Sequence, residues 1–189
     1  MELLNEKKNK KALIIIDMQY DICDGGIMAN INSLRIISKI NSIRDDFDLI
    51  IFINKVYPNN HASFSTLKPP YCIINTFGSK LHNDLIMTPN DIIINICTLQ
   101  KYESNSGFYD AEPIEKQTNL KYILEINNIS NLYFCGNDMD TCIFGTIMDA
   151  INFKFTCFVI NDAIGYRSKE KYDDCILFLK KLGVTFINI

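Results

Sequence analysis

Three residues of this sequence have side chains that could together cleave an amide bond. Asp17 and Lys101 each follow an apolar segment of the length of a strand. Cys142 lies in the first turn of a helix that Asp140 is placed to cap. Backbone N–H groups at a helix start and a nearby ammonium group both favour the thiolate form of a cysteine. An aspartate within reach can take the thiol proton and return it to a leaving amine, so the set predicts hydrolysis through a cysteine nucleophile.

Each of the three residues also has an ordinary structural explanation. An aspartate after a strand often caps a helix, a lone lysine is usually solvated, and a cysteine near a helix start often packs in the core. Taken singly, none of them establishes a site. Their joint position is more specific, because ligands of parallel α/β sheets bind outside the carboxyl ends of the strands. Backbone N–H groups of the turn around Cys142 would then stabilise an oxyanion.

The elements that must bring these residues together alternate between strands and helices. Apolar runs predict strands at Lys11–Ile16, Leu49–Ile53, Asp91–Cys97, Asn131–Cys135, Phe155–Ile160 and Val184–Ile189. Apolar residues at helical spacing predict helices at Ile31–Asp46, Lys116–Asn127, Thr141–Asn152 and Ser168–Leu182. This order predicts an α/β fold with a doubly wound, mostly parallel sheet and helices on both faces. The aperiodic stretches between these elements are long enough to predict functional loops.

Composition narrows the class of protein further. The 189 residues are 48% hydrophobic and 22% charged, which fits one globular domain. A net charge of −3 without a basic stripe argues against nonspecific nucleic-acid binding, and the apolar runs are too short for a membrane span. Seven cysteines, an odd number with no CxxC pair, argue against a disulfide framework. Since the N-terminal segment also lacks a secretion signal, we expect a cytoplasmic protein with no nucleic-acid or membrane partner.

The same residues carry a resemblance to the isochorismatase-like cysteine hydrolase superfamily, and within it to nicotinamidases. The segment Asp17–Asp21 resembles the opening Asp-x-Gln segment of the superfamily. Lys101 and Ser106–Phe108 resemble its catalytic lysine and the Ser-Ala-Phe that follows. Gly136–Ile143 resembles its nucleophile motif Gly-x-Ala-x-Asp-x-Cys-Val. The resemblance covers nearly the whole chain and implies a single hydrolase domain over residues 1–189, folded as a Rossmann-like three-layer sandwich.

The resemblance also implies a mechanism. Cys142 would attack a carboxamide carbon to form a thioester, Asp17 would carry the proton to the departing ammonia, and Lys101 would stabilise the thiolate and position Asp17. The backbone N–H groups of Met139 and Cys142 would form the oxyanion hole. The implied reaction is the hydrolysis of nicotinamide to nicotinate and ammonia.

The positions that the resemblance assigns to metal ligands have changed. An Asp and a His in one loop and a His in another bind a divalent metal in the family, and these positions hold Lys55, Tyr57 and Tyr71 here. An ammonium group only donates, and a neutral phenol is a poor ligand for zinc or magnesium. We therefore predict no cofactor and the loss of the family zinc site. His61 and His82 are interpreted as loop histidines with hydrogen-bonding roles.

The residues expected around the substrate have changed as well. The candidates for substrate contact are Tyr20, Ile22, Lys55, Val56, Phe108 and Asp138. Ile22 and Val56 stand where the family has Phe and Trp, so two aromatic faces for a pyridine ring are lost, and Tyr20 and Phe108 remain as aromatic partners or as core residues. We hypothesise that Lys55 lies near the vacated cation position and donates to a ring nitrogen or carboxylate of the substrate. A drifted loop that leaves Lys55 in solvent is the alternative.

Two other functional classes stay open beside a nicotinamidase-like amidohydrolase. One is a metal-independent cysteine hydrolase of another small amide, carbamoyl or ester substrate, and the other is a noncatalytic binding protein on the same fold. An enzyme is expected to have a fast-reacting Cys142 thiol of low pKa, and a binding protein an ordinary one. The expected partner of an enzyme is a small-molecule amide, and the resemblance allows a homo-oligomer.

Overall fold

A computed structural model describes residues 10–30, 33–65, 69–112 and 116–189 of the chain. Strands within these residues are β1 (Lys10–Ile16), β2 (Leu49–Lys55), β3 (Ile92–Ile96), β4 (Tyr109–Ala111), β5 (Lys116–Gln117), β6 (Ile129–Gly136), β7 (Thr156–Ile164) and β8 (Thr185–Ile187). The α-helices are α1 (Ser33–Ile43), α2 (Leu120–Ile126), α3 (Phe144–Asn152) and α4 (Lys169–Lys181). None of these helices is long and apolar enough to cross a membrane.

Six of the strands form one parallel sheet in the order β3-β2-β1-β6-β7-β8. The other two, β4 and β5, form a separate antiparallel ribbon. The chain builds outward from β1 to β3 and then continues on the other side of β1 with β6. The boundary between β1 and β6 is therefore the topological switch point, where sheets of this type bind ligands. The predicted α/β fold with a doubly wound, parallel sheet is confirmed.

Both faces of the sheet are buried, and β1 shows this most clearly. Leu13 and Ile15 belong to one core, together with Ile40 of α1. Ile14 points to the opposite face and belongs to a second core, which includes Ile147 of α3 and residues of α2 and α4. Because successive strand residues alternate between faces, a strand covered on both sides is continuously apolar. This is why the first strand could be predicted from an unbroken apolar run.

The predicted elements differ from the observed ones mainly at their ends. The helix predicted over 31–46 is α1 followed by a 3₁₀ turn, Arg44–Asp46, and its first two residues lie outside the described part of the chain. The helix predicted over 116–127 is wrong at its start, where β5 pairs with β4 before α2 begins. β7 runs to Ile164, beyond its predicted end at Ile160.

Candidate active site

The carboxyl ends of β1, β2 and β6 lie side by side at the switch point. In the sheet register Ile16 is level with Ile53 of β2 and with Gly136 of β6. Asp17 comes next, and its N–H donates to the carbonyl of Ile53 at 2.9 Å. Its φ of 54° is left-handed, a conformation that non-glycine residues hold where the surroundings impose it. Asp17 is therefore fixed at the sheet edge where α/β folds bind ligands.

The turn after β6 passes so close to β1 that it needs a glycine. A Cβ at Gly136 would lie 2.2 Å from the carbonyl oxygen of Ile16, and φ at this residue is +112°. The next residue, Asn137, donates from its N–H to the same carbonyl at 2.8 Å and from Nδ2 to the carbonyl of Asp17 at 3.3 Å. These contacts hold the segment after β6 against Asp17.

Cys142 lies in a single π-helical turn, Met139–Ile143, that leads into α3. Turns of this kind are often found at functional sites. The carbonyl of Cys142 accepts a hydrogen bond from Oγ1 of Thr146 at 2.7 Å, and Oγ1 of Thr146 in turn accepts one from the N–H of Gly107 at 3.0 Å. The structure thus places Cys142 in a helical turn at the start of a helix. Asp140 lies inside this turn, whose N-cap is Asp138, so the prediction that Asp140 caps the helix is wrong.

Asp17 and Cys142 form a buried pair. Both side chains are buried, and the Cys142 side chain is close enough to the Asp17 carboxylate to act on its pKa. Burial raises the pKa of Asp17 to about 6, although the Lys55 ammonium and the Cys142 side chain act in the opposite direction. Among the described residues, Oδ1 of Asp17 has no hydrogen-bond partner. A carboxylate of this kind is ionised at neutral pH and can accept a proton.

The resting thiol differs from the expectation of a low pKa. Burial, followed by the negative charge of Asp17, raises the pKa of Cys142 well above its ordinary value, and the Lys55 ammonium only partly offsets this. The helix start and a nearby ammonium group predicted a thiolate, but burial and the charge of Asp17 have the larger effect on the pKa of Cys142. Cys142 is therefore a neutral thiol in the free protein, next to the Asp17 carboxylate.

The structure does not bring Lys101 to this pair. Lys101 is exposed on a turn and makes no hydrogen bond or ion pair within the described residues. The turn is instead attached to Ala62, whose N–H donates a hydrogen bond to the carbonyl of the preceding Gln100. The lysine whose charge acts on both Asp17 and Cys142 is Lys55, at the end of β2. The predicted position of Lys101 is thus corrected.

Lys55 is held at the site through its backbone as well as its side chain. Its N–H donates to Oε1 of Gln19 at 2.9 Å, and its carbonyl accepts from Nε2 of Gln19 at 2.7 Å. The side chain is 5% exposed, and Nζ donates to the Tyr57 hydroxyl at 3.4 Å and to Oδ1 of Asn105 at 3.3 Å. The alternative of a drifted loop with Lys55 in solvent is wrong. Gln19 and Asn105 were not singled out from the sequence, although Gln19 lies within the Asp-x-Gln segment.

The two tyrosines at the metal-ligand positions belong to the same network. The Tyr57 hydroxyl donates to Oε2 of Glu103 at 2.7 Å and lies 3.0 Å from the Tyr71 hydroxyl. Burial raises the pKa of both phenols well above their ordinary values, so both stay neutral. Burial lowers the pKa of Lys55, but its interactions with the acidic groups Cys142, Tyr71, Cys97 and Asp17 outweigh burial and raise that pKa, so its ammonium stays charged. Within the described part of the chain, the network joins the Lys55 ammonium, two neutral phenols and the Glu103 carboxylate.

These residues do not fit the zinc ion that the fold family implies. Zinc needs deprotonated ligands, and neither an ammonium nor a neutral phenol provides one. The described residues contain no group of three or more His, Cys, Asp or Glu side chains placed to bind a metal. His61 is buried, with Nδ1 2.8 Å from Oγ of Ser63 and Nε2 3.1 Å from the carbonyl of Tyr102, so both ring nitrogens have partners. His82 packs against the ring of Tyr20 with centroids 4.7 Å apart.

The remaining substrate-contact candidates occupy different environments. Ile22 is buried in the same core as Cys142, and Val56 is half-buried next to Lys55. The half-buried ring of Tyr20 packs against Phe77, with centroids 4.0 Å apart and the two rings tilted by 31°. The ring of Phe108 packs instead on Phe153 and Phe155, which lie before the amino end of β7. Phe108 is therefore a core residue whose ring packs against other aromatic side chains.

Asp138 is paired with an arginine that the sequence did not point out. Its Oδ2 lies 2.5 Å from Nη2 of Arg167, in the loop between β7 and α4. Burial raises the pKa of Asp138, and Arg167 acts to lower it. The charges of both residues also influence Asp17. Asp138 is thus close to Asp17, but one of its carboxylate oxygens already forms a salt bridge with Arg167.

The N–H predicted as one half of the oxyanion hole has a partner. The N–H of Met139 donates to the carbonyl of Gly165 at 3.1 Å. It is therefore not free to stabilise an oxyanion, and this part of the prediction is corrected. The other predicted donor, the N–H of Cys142, belongs to the nucleophile itself.

Comparisons with known proteins find a matching family model and several similar chains. A family model described as the isochorismatase domain matches residues 11–189. The nicotinamidase of Acinetobacter baylyi is 28% identical over 182 residues, which cover 86% of this chain and 85% of that protein. The pyrazinamidase of Pyrococcus horikoshii, solved in complex with zinc, is 27% identical, with a TM-score of 0.86 over 95% of this chain and 99% of its own. PnC1 from L. infantum, solved in complex with nicotinate, is 26% identical, with a TM-score of 0.89 over 95% and 93% of the two chains.

Proposed function

The chain belongs to the isochorismatase domain family, and on this premise we propose that it is a cysteine amidohydrolase whose leading substrate is nicotinamide. Its family and its curated nicotinamidase relatives make it a hydrolase of amide C–N bonds. The observation that carries the proposal is the buried Asp17–Cys142 pair beside the Lys55 ammonium at the switch point. Since all seven cysteines are free, we place the reaction in the reducing cytoplasm.

The pair performs two proton transfers in each half of the reaction. The Cys142 thiol gives its proton to Asp17 as sulfur attacks the carboxamide carbon, and the carbonyl oxygen becomes an oxyanion. Asp17 then returns that proton to the departing nitrogen, the C–N bond breaks, and ammonia leaves a thioester on Cys142. In the second half Asp17 takes a proton from the attacking water, and the C–S bond breaks. The acid is released and the proton returns to the thiol.

Lys55, in place of Lys101, supplies the positive charge in this mechanism. A buried ammonium stabilises the thiolate that forms during attack and keeps Asp17 ionised, because it lowers the pKa of both acids relative to a site without it. The N–H of Cys142 remains as a donor to the oxyanion. Gln19 is a positioning residue, since its side chain hydrogen-bonds both the N–H and the carbonyl of Lys55.

Ammonia release over a panel of small amides tests the proposal. We expect hydrolysis of nicotinamide, and an acyl adduct on Cys142 in acid-quenched samples seen by mass spectrometry. Cys142→Ala should lose both signals, and a Cys142→Ala protein that still released ammonia would rule out the nucleophile. A panel that includes pyrazinamide and small carbamoyl compounds tests the second candidate, a hydrolase of another small amide. The aliphatic residues Ile22 and Val56 favour that candidate, because they offer no aromatic face to a pyridine ring.

The two lysines can be distinguished directly. Lys55→Met should lower kcat/KM for the active amide by about 100-fold or more, the usual effect of removing a preorganised charge from a transition state. Lys101→Met should change it less than about twofold, since an exposed lysine without a partner contributes little. Steady-state ammonia assays on both variants check this, with circular dichroism to confirm folding. The reverse ranking of the two variants would restore Lys101 to the site.

A further inference from the structure

The two hydroxyl groups at the metal-ligand positions form a hydrogen-bond network with the Lys55 ammonium in which both phenol protons are used. A phenol has one proton to donate, and that of Tyr57 goes to Glu103. The oxygen of Tyr57 then accepts from Lys55, and the contact with Tyr71 must be a donation from Tyr71 to Tyr57. Both phenol protons are therefore used within the network. Binding a divalent ion there would require removing a phenol proton or expelling the ammonium.

The network also contains a positive charge of its own, without a metal ion. The Lys55 ammonium lies between two carboxylates: Glu103, reached through the Tyr57 hydroxyl, and Asp17, with which it interacts electrostatically. The ammonium group has three protons, and within the described residues two of them are donated, to Tyr57 and Asn105. Within these residues, one N–H donor of the buried Lys55 ammonium is thus left over. The charge of this ammonium lowers the pKa of both Cys142 and Asp17.

We propose that Lys55 is the resident cation of this site: its ammonium, held by Tyr57 and Asn105, replaces the divalent metal of the family and donates its remaining hydrogen bond to the substrate. The proposal rests on the proposed amidohydrolase function and deepens it. The substrates it selects are carboxamides that carry a hydrogen-bond acceptor, either a ring nitrogen or a carboxylate, beside the amide. Amides without an acceptor leave the third donor of a buried ammonium unpaired, which is costly.

Zinc binding tests the replacement of the metal without any turnover. Chelator-treated wild-type protein is titrated with zinc by calorimetry, and its metal content is then measured. We expect no stoichiometric site. The matched control is the Lys55→Asp, Tyr57→His, Tyr71→His variant, which restores a carboxylate and two imidazoles and should bind one zinc ion per chain. One equivalent of zinc bound by the wild type, and lost in Tyr57→Phe with Tyr71→Phe, would overturn the proposal.

The pH dependence of Cys142 alkylation tests the cation itself. Iodoacetamide, a small amide, should modify Cys142 with a midpoint near the Asp17 pKa of about 6, mapped by peptide mass spectrometry. Lys55→Met should move this midpoint upward, because the ammonium lowers the pKa of Asp17, and Lys55→Arg should keep it near the wild-type value. An unchanged midpoint in a folded Lys55→Met protein would contradict the proposal, since a merely structural lysine would not move it.

Substrate preference completes the test. Nicotinamide and benzamide differ in the ring nitrogen, so the wild type should prefer nicotinamide in kcat/KM. Lys55→Met should reduce that preference about tenfold or more, the effect of losing a hydrogen bond to a charged group. Equal preference in wild type and variant would refute the substrate contact. If no amide on the panel is hydrolysed, the proposed function fails, while the zinc and alkylation results still decide the role of Lys55.

Discussion

The buried carboxylate that we propose as the catalytic base also has a cost in stability. Asp17 has a pKa of about 6 in the folded protein against an ordinary value of 3.8, mainly because it is buried. The folded state therefore binds this proton more tightly than the unfolded state. The cost is absent below the ordinary pKa, grows as the pH rises through about 6, and is complete at neutral pH. It amounts to about 3 kcal/mol, which is a large fraction of a typical folding free energy.

Replacing Asp17 by Asn should therefore stabilise the protein while abolishing activity. At pH 8 we expect the free energy of unfolding to rise by up to about 3 kcal/mol, because asparagine stays neutral. At pH 4 the two proteins should differ little. Urea unfolding of both proteins at the two pH values measures this difference. A variant no more stable than wild type at pH 8 would show that the carboxylate is stabilised by its neighbours.

Among the elements, β6 and β1 make a close backbone contact at Gly136, just before the π-helical turn that contains Cys142. Gly136→Ala should destabilise the protein by about 2–4 kcal/mol, since its Cβ would lie 2.2 Å from a main-chain oxygen of β1 at a φ of +112°. It should also lower kcat/KM, because Asp17 follows that strand. Gly183→Ala is the matched control: its φ is also positive, at +88°, but nothing lies within 4 Å of the added Cβ.

Thermal unfolding and ammonia assays compare the two glycine variants. Gly183→Ala should cost only about 1 kcal/mol, the strain of a left-handed residue, and should leave kcat/KM unchanged. Equal effects of the two substitutions on stability and activity would mean that backbone strain, and not the contact with β1, makes Gly136 necessary.

The same elements show what could be predicted from the sequence. Buried strands and amphipathic helices leave strong periodic signals, so the sheet, Asp17 at a strand end and Cys142 at a helix start could all be predicted. Which of the two lysines, Lys55 or Lys101, lies at the site could not be predicted. Lys101 lies in an aperiodic loop whose path depends on contacts with residue 62. The strand predicted to end at Ile53 in fact continues to Lys55. That two-residue extension puts a lysine at the carboxyl edge, next to β1.

At the scale of the whole molecule, the groups that we propose to react and a buried ion pair lie at opposite ends of the sheet. Arg44 follows α1 and Asp91 precedes β3, so the pair lies at the amino ends of β2 and β3. Nη2 of Arg44 is 2.8 Å from Oδ1 of Asp91, and the two side chains are 4% and 3% exposed. Although burial acts in the opposite direction, hydrogen bonds from Arg44 and Thr88 lower the pKa of Asp91. Its contribution to stability is therefore present at neutral pH and is lost as the pH falls.

Arg44→Met should therefore destabilise the protein without changing its kinetics. Leaving Asp91 buried without its cation should cost about 3 kcal/mol or more in the free energy of unfolding at pH 7, and the loss should shrink in acid, where the carboxyl group is protonated in both proteins. Asp45→Asn is the control, because Asp45 is 97% exposed and lies 3.6 Å from Nε of the same arginine, so its removal should cost less than about 0.5 kcal/mol. Urea midpoints and kcat/KM are measured for both variants. Since the reacting groups lie at the carboxyl edge, a folded Arg44→Met protein with kcat/KM changed more than about tenfold would show that the two edges are energetically coupled.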